Sequence, residues 1–203
     1  MRARATLAAA LVAAALTAGC SESGSAVPTP DSSAVPSSER GTQLPSHGAP
    51  KVNDPVDVTK FLADPCAMLT PQQASDLAGL SSPEADTADK IGPRCEWDQP
   101  GGGLFTISFI TVGGGGLSGT YQSHAELPMP YFEPVDVNGY PGVFADQVDR
   151  RSYGACGLSV GVRDDVLLKV FSGFERDSPH YGDPCPVVKK AAEMAITTME
   201  GGA

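Results

Sequence analysis

Apolar residues follow three different patterns along the chain. Residues 5–18 form an uncharged run of mostly Ala, Leu and Val, and residues 21–58 show no regular spacing. From residue 59 to residue 203, helical and strand spacings alternate between turn signals. We therefore predict a leader at residues 1–19, a disordered tether at residues 20–58, and a single domain at residues 59–203 that is long enough for one hydrophobic core.

Two segments of the predicted domain have the spacing and the end signals of helices. Thr70, Pro71 and Gln73 supply a capping hydroxyl, a first-turn proline and a capping-box glutamine, and Gly79 predicts the end of this helix. Near the end of the sequence, Asp183 and Pro184 predict the start of a second helix. The apolar residues that follow recur on one helical face, at Val188, Ala191, Ala192, Ala195, Ile196 and Met199.

The remaining segments of the domain are rich in strand-forming residues and lie between turns. Strands are predicted at residues 95–97, 104–112, 135–148 (with a turn at Asn138-Gly139), 155–162 and 166–172, with a loop at 81–92 and a modest helix at 117–127. Short strands that are joined by turns favour antiparallel pairing. The predicted fold is α+β, with an antiparallel sheet of about five strands and helices packed on one face.

The first residues have the form of a lipoprotein export signal. Arg2 and Arg4 precede the apolar run, which is shorter than the roughly 20 residues that span a bilayer. The run ends at Leu16-Thr17-Ala18-Gly19-Cys20, which resembles the bacterial lipobox with Thr17 in place of the usual leucine. We predict cleavage before Cys20, lipidation of its thiol, and anchoring at the extracytoplasmic face of the cell membrane. Ordinary secretion without a lipid is the alternative.

The acidic composition narrows the classes of partner. The chain carries a formal net charge of −10, and the only charged residues of the predicted leader are basic. Because this charge repels nucleic acid, no nucleic-acid partner is predicted. Residues 21–58 contain eight serines and six prolines, a composition that keeps a chain extended and would hold the domain away from a lipid surface.

Four cysteines follow Cys20, at positions 66, 95, 156 and 185. An even number of cysteines in an exported domain predicts two disulfides, and the wide spacing does not match a zinc site or a Cys-x-x-Cys redox site. Two equal gaps of 29 residues favour Cys66–Cys95 with Cys156–Cys185. Pairing Cys66 with Cys185 and Cys95 with Cys156 is the alternative.

Several short motifs occur in a fixed order. After the lipobox and the Ser/Pro-rich tether come Pro-Cys-x-x-Leu-Thr at residues 65–70, Cys-x-Trp at 95–97, Asn-Gly-Tyr-Pro at 138–141 and Asp-Pro-Cys at 183–185. This order resembles an uncharacterised family of actinobacterial secreted lipoproteins, catalogued only as a domain of unknown function. The resemblance covers nearly the whole chain. The resemblance implies a location at the outer face of the cell membrane, a framework of four cysteines, and the boundaries of the domain. It supplies no catalytic residue. The element order is also similar to that of PsbP-like domains, which are non-catalytic sandwiches.

Ser159 lies in a Gly-x-Ser-x-Gly motif, the pattern of a serine hydrolase nucleophile, and His180 follows it. That motif requires a turn from strand to helix at the serine, whereas residues 155–162 predict a continuous strand. The glycines at residues 113–116 lack the Lys-Ser/Thr of a phosphate loop, and the histidines and acidic pairs lack ligand spacing. We therefore predict no catalytic, cofactor-binding or metal site.

These observations predict a non-catalytic binding or interaction module at the cell envelope, without a cofactor. Its expected partners are the membrane, through the lipid on Cys20, and an envelope protein, lipid or glycan. Two alternatives stay open: an envelope hydrolase that uses Ser159, and an accessory subunit of an envelope complex.

Overall fold

A seven-stranded antiparallel sheet is the main element of the computed structural model, which describes residues 43–201. In chain order its strands are β1 (Ser81–Asp86), β2 (Arg94–Asp98), β3 (Gly103–Ile110), β4 (Tyr131–Val137), β5 (Tyr140–Asp146), β6 (Ala155–Arg163) and β7 (Val166–Phe174). Across the sheet they lie in the order β1-β2-β3-β7-β6-β5-β4. The predicted α+β class is confirmed, but the strand count is larger than predicted.

Helices pack on both faces of this sheet, not on one face as predicted. Within residues 43–201 the α-helices are α1 (Thr59–Ala63), α2 (Pro71–Ala78), α3 (Gly116–Glu126) and α4 (Cys185–Met199). Leu158 and Val160 of β6 share a core cluster with the apolar stripe of α4, whereas a Cβ placed on Gly161 would contact Leu117 of α3. Because successive strand residues point to opposite faces, the sheet has an α4 face and an α3 face.

The ends of α2 agree with the predicted capping signals. The Thr70 hydroxyl accepts a hydrogen bond from the Gln73 N–H at 3.2 Å, and the Gln73 side chain accepts one from the Thr70 N–H at 2.7 Å. Gly79 ends the helix in the left-handed region, with a φ of 64°. The start of α4 lies one residue later than predicted, at Cys185, and no side chain caps it.

Strand β1 was predicted as a loop, and its position in the sheet explains the error. It is an edge strand that pairs only with β2, and five of its six residues are exposed. An edge strand that packs no side chain into a core needs no apolar alternation, because its backbone hydrogen bonds alone hold it in the sheet. Its sequence, SSPEAD, therefore lacks the signal by which strands are predicted.

Residues 43–58, here called the strap, pack against the domain, although they fall within the predicted tether. Val52, Val56 and Val58 are 4%, 6% and 5% exposed, and the Val56 N–H donates to the Val162 carbonyl at 3.1 Å. The valines lie among prolines and polar residues without a helical or strand period, so the pattern did not reveal them. The leader, Cys20 and the tether before residue 43 lie outside the described residues and stay predictions.

Two disulfides join the helices to the sheet, as predicted from the cysteine count. Cys66 pairs with Cys95, and Cys156 pairs with Cys185. The first bond links a 3-10 helix (Pro65–Met68) to β2, and the second links β6 to the first residue of α4. Both therefore fasten the α4 face. None of the helices among residues 43–201 is long and apolar enough to cross a bilayer.

Candidate functional site

A cavity of about 880 Å³ lies on the α3 face of the sheet. Its floor is formed by Ser159 of β6 together with Leu167, Lys169 and Phe171 of β7. The other walls come from the ends of β3 and β5, the glycine-rich loop at residues 113–116, helix α3 and the strap. The cavity therefore lies between the centre of the sheet and a helix that covers only part of that face.

Small residues keep this space open. Gly157 of β6 presents no side chain to the α3 face beside Lys169, and the stretch of α3 that faces the cavity includes Ser118, Gly119 and Ser123. On the α4 face, by contrast, the same strand presents Leu158, Val160 and Val162, all fully buried. At β6, therefore, the α4 face is filled by side chains, whereas the α3 face retains room for a ligand.

Lys169 and Ser159 form a polar pair in the cavity floor. They are direct cross-strand partners, and the Lys169 Nζ donates to the Ser159 Oγ at 3.2 Å. Ser159 is 2% exposed, whereas Lys169 is partly buried. A Cβ on Gly157 would lie 3.2 Å from the Lys169 Nζ, so the absence of that side chain leaves room for the ammonium group.

The Lys169 ammonium is poorly compensated by the surrounding protein. Among residues 43–201, no carboxylate oxygen lies within 4.0 Å of the Lys169 Nζ, the distance that defines an ion pair. Desolvation by burial holds the pKa of Lys169 below its usual value, although the charge of Asp146 raises it in part. The ammonium has three donors and uses one of them on Ser159. Its remaining donors have no hydrogen-bond partner among residues 43–201, which leaves them free to contact a ligand.

A second cation stands at one end of the cavity. The Arg150 guanidinium donates to the Asp146 carboxylate at 2.9 Å and lies 5.8 Å from the centre of the Phe171 ring. Burial raises the pKa of Asp146, but hydrogen bonds from Arg150 and from the Val148 N–H outweigh it and hold that pKa below its usual value. Arg150 is therefore neutralised locally, whereas Lys169 is not.

The strap closes one side of the cavity through Leu44, Ser46 and His47. The Ser46 N–H donates to the Ser118 hydroxyl of α3 at 2.9 Å. A few residues further on, Ala49 is buried in a cluster with Leu117 and Leu167. The segment that would connect the domain to a membrane anchor thus contributes directly to the cavity wall.

The structure does not bring Ser159 together with His180. Ser159 is in the cavity floor within a continuous strand, whereas His180 follows β7 on the chain and its ring centre lies 5.2 Å from that of Phe174. Glycines 113–116, which lack the pattern of a phosphate loop, form part of the cavity wall, and three of them have positive φ. The hydroxyl of Ser159 has Lys169 as its partner in place of a histidine.

The acidic pairs considered above as metal ligands, Asp164-Asp165 and Asp146 with Asp149, have partners within the protein. Asp164 accepts a hydrogen bond from the Val52 N–H at 2.9 Å, and Asp149 pairs with Arg151 at 2.8 Å. Trp97 is buried on the α4 face. Among residues 43–201, no group of three or more His, Cys, Asp or Glu side chains is placed to hold a metal ion.

A smaller cavity, of about 720 Å³, lies beside the Cys66–Cys95 disulfide. It is lined mainly by apolar and hydroxyl side chains, among them Leu69, Leu80 and Trp97. Its only charged lining residue is Asp64. It thus lacks the cationic group that distinguishes the cavity on the α3 face.

Comparison with known families gives a single result. The model of the family described as "Protein of unknown function (DUF3558)" matches residues 15–198. The chain belongs to this family. Comparisons with curated proteins and with solved structures gave no significant match. For this DUF3558 protein, the expected membership of a family without an assigned function is confirmed, whereas its actinobacterial origin, its lipidation and the similarity to PsbP-like domains stay predictions.

Sequence reasoning did not identify Lys169 as a site residue of this DUF3558 protein. The available signal was its position in β7, where a lysine lies between Leu167 and Phe171 on the same face of the strand. The register of the β6–β7 hairpin was also required, because it places Lys169 opposite Ser159. That register is a property of the folded sheet.

Proposed function

We propose that this DUF3558 protein is an exported, lipid-anchored binding module without catalytic activity, and that the cavity on the α3 face holds a small molecule. The observation that carries the proposal is the cavity itself: about 880 Å³ of space above the centre of the sheet, with the Ser159–Lys169 pair in its floor. Pockets of this size are typical of ligand sites, and they combine apolar walls with a few fixed polar groups.

The proposed location, on a lipid anchor outside the cytoplasm, rests on the N-terminal sequence pattern and on the disulfides. A basic start, an uncharged run and Cys20 after small residues are typical of lipoprotein leaders. The two disulfides support an oxidising compartment, because such bonds rarely persist in a reducing cytosol. The strap and the preceding Ser/Pro-rich stretch would then link the lipid to the cavity-bearing domain.

The proposed export and lipid anchoring are tested by producing the full chain in an actinobacterial host and analysing its N-terminus by mass spectrometry. We expect cleavage before Cys20 and a diacylglyceryl group on its thiol. Cys20→Ser should leave the protein uncleaved and free of lipid mass. An intact leader, or a mature N-terminus at another residue, would contradict the proposed anchoring.

Ligand binding is tested with Nile red, a neutral dye that fluoresces in apolar cavities, and with variants that fill the cavity. Nothing lies within 4 Å of a Cβ placed on Gly119, so Gly119→Phe should fold and place its ring at the cavity. We expect this variant to lose dye binding. Gly182→Phe is the matched control, because Gly182 is equally unobstructed and lies outside the cavity lining. Equal dye binding by both variants would contradict the proposed site.

The Ser159–Lys169 pair favours a second candidate function, acyl transfer. A neutral lysine amine can accept the serine proton while Oγ adds to an acyl carbon. The lysine then returns this proton to the alcohol or amine that leaves as its bond to the acyl carbon breaks, and water later cleaves the resulting acyl ester. The 3.2 Å distance and the lowered pKa of Lys169, which is due to burial, support this role. The burial of Ser159 in an unbroken strand argues against it, since a nucleophile must be accessible to its substrate.

A fluorophosphonate probe distinguishes the two functions, because it labels an activated serine and leaves an ordinary one unmodified. Under the main proposal we expect no labelling of the wild-type protein. Labelling that is lost in both Ser159→Ala and Lys169→Met would establish the hydrolase and overturn the non-catalytic assignment.

A further inference from the structure

The charge of the cavity on the α3 face is opposite to that of the whole chain. The charged side chains among its lining residues are Lys169, Arg150 and Asp146, and His47 adds a titratable ring. With the histidine neutral, these groups sum to one positive charge, whereas the chain carries −10. Because a positive wall attracts anions, this cavity favours an anionic ligand although the whole chain is acidic.

The unpaired cation lies at the bottom of the cavity and not at its rim. Lys169 extends from the central strand β7, and Ser159 from β6 fixes its ammonium at 3.2 Å. Arg150 is paired with Asp146, so the uncompensated charge resides on Lys169. A desolvated ammonium with unused donors is stabilised by an anionic oxygen that enters the cavity, because a charge-assisted hydrogen bond replaces its lost hydration.

The rest of the cavity provides apolar surface for the body of a ligand. Ile110 of β3, Leu167 and Phe171 of β7 and Met129 all line it. The glycines at residues 113–116 contribute backbone without side chains. A ligand with an anionic end at Lys169 and an apolar body along these residues would satisfy both parts of the wall.

We infer that the cavity binds an organic anion, with a carboxylate or a phosphate bound to the Lys169 ammonium, which Ser159 holds in place, and an apolar body against Leu167, Phe171 and Ile110. This inference rests on the proposed function. It adds the chemical class of the ligand and the residue that selects it.

The test uses four probes that share an eight-carbon chain and differ in the head group: octanoate, octyl phosphate, octanol and octylamine. Each is titrated by calorimetry into the full chain held in detergent. We expect at least one of the two anions to bind about tenfold or more tightly than octanol, and octylamine to bind most weakly. The ranking of octanoate against octyl phosphate identifies the preferred head group.

Lys169→Met should remove the preference for the anion while it retains the binding of octanol, since methionine keeps the apolar length of the side chain without its charge. Lys190→Met is the matched control, because Lys190 is exposed on α4 and its replacement changes the net charge equally. We expect the control to bind all four probes as the wild type does.

The outcomes separate the inference from the proposed function. Equal binding of octanol and both anions, or an anion preference that survives in Lys169→Met, overturns the inference and leaves a neutral ligand for the cavity. Absence of binding for all four probes also overturns it. If Nile red binding is nevertheless lost in Gly119→Phe and kept in Gly182→Phe, the proposed binding function stands. If Nile red binding is also insensitive to Gly119→Phe, both proposals fail.

Discussion

At the scale of single residues, Lys169 is a charged side chain that a purely structural role does not explain. It lies in a central strand and pairs with a serine rather than a carboxylate. Burial lowers its pKa, which means that the folded state holds this proton less tightly than the unfolded chain does. Residues that reduce stability in this way frequently belong to functional sites.

Lys169→Met should therefore stabilise the protein in the absence of ligand. Below the lowered pKa the charged form destabilises the fold, and this penalty fades as pH rises towards the usual lysine value of 10.5. At neutral pH we expect a gain of about 1 kcal/mol in the free energy of unfolding, or about 2–4 °C in Tm. Calorimetry measures it, with Lys190→Met as the control. A lower Tm for Lys169→Met would show that the ammonium contributes net stability.

Tyr140 makes a second contribution to stability that depends on pH. Its side chain is 5% exposed, and its hydroxyl donates to the Glu200 carboxylate at 2.9 Å. Burial, together with this carboxylate, raises the pKa of Tyr140 to about 12. The neutral phenol is favoured in the fold, so this contribution is complete below the usual pKa of 10.0 and is lost as pH rises to about 12.

Tyr140→Phe should thus reduce the loss of stability between pH 10 and about 12. Urea denaturation across this range measures the effect. Tyr153→Phe, at a residue that is 67% exposed, should retain the alkaline loss of the wild type. If both variants kept the same pH dependence, the phenol of Tyr140 would not be its source.

At the scale of elements, α3 and the strap together determine the space above the α3 face. Helix α3 packs through Leu117 and the buried Ser118, and the strap is joined to that helix by the Ser46–Ser118 hydrogen bond. Because both elements contribute few large apolar residues over the cavity, they cover the sheet without filling the space above it. The strap therefore packs as part of the folded domain.

Val56→Ala tests whether the strap contributes to the fold. Val56 is 6% exposed and lies in the main core cluster. We expect a loss of about 2 kcal/mol in the free energy of unfolding, the magnitude for a truncated core side chain. Val148→Ala is the control, because Val148 is 59% exposed, and it should change stability by less than about 0.5 kcal/mol. A similarly small change for Val56→Ala would indicate that the strap behaves as a linker.

At the scale of the whole molecule, the two faces of one sheet differ in what covers them. The α4 face combines the apolar stripe of α4, the buried side chains of β3, β6 and β7, and both disulfides. The α3 face carries the cavity. A rigid and covalently fastened face allows the opposite face to hold an unfilled space and a desolvated charge without loss of the fold.

Removal of the second disulfide should weaken the whole molecule. Its cysteines are 29 residues apart, so Cys156→Ala with Cys185→Ala should reduce the free energy of unfolding by about 3–4 kcal/mol, mainly because the unfolded chain gains freedom. Guanidinium denaturation of the oxidised wild type and the double variant measures this loss. The Cys66–Cys95 bond closes a loop of the same length, so Cys66→Ala with Cys95→Ala should show a loss of similar size. A change below about 1 kcal/mol would contradict the predicted role of the Cys156–Cys185 bond.

The sequence by itself determined the α+β class, the helix ends at Thr70 and Gly79, most strands and the cysteines that form disulfides. It also indicated membership of a family without an assigned function. These features depend on local patterns, caps and counts, which the chain carries whether or not it is folded. Only the tertiary structure decided that β1 is a strand, that helices lie on both faces, that the strap is packed, and that Lys169 faces Ser159 in a cavity. Each of these depends on which residues meet across the sheet, and pairing between distant segments leaves no periodic signal in the sequence.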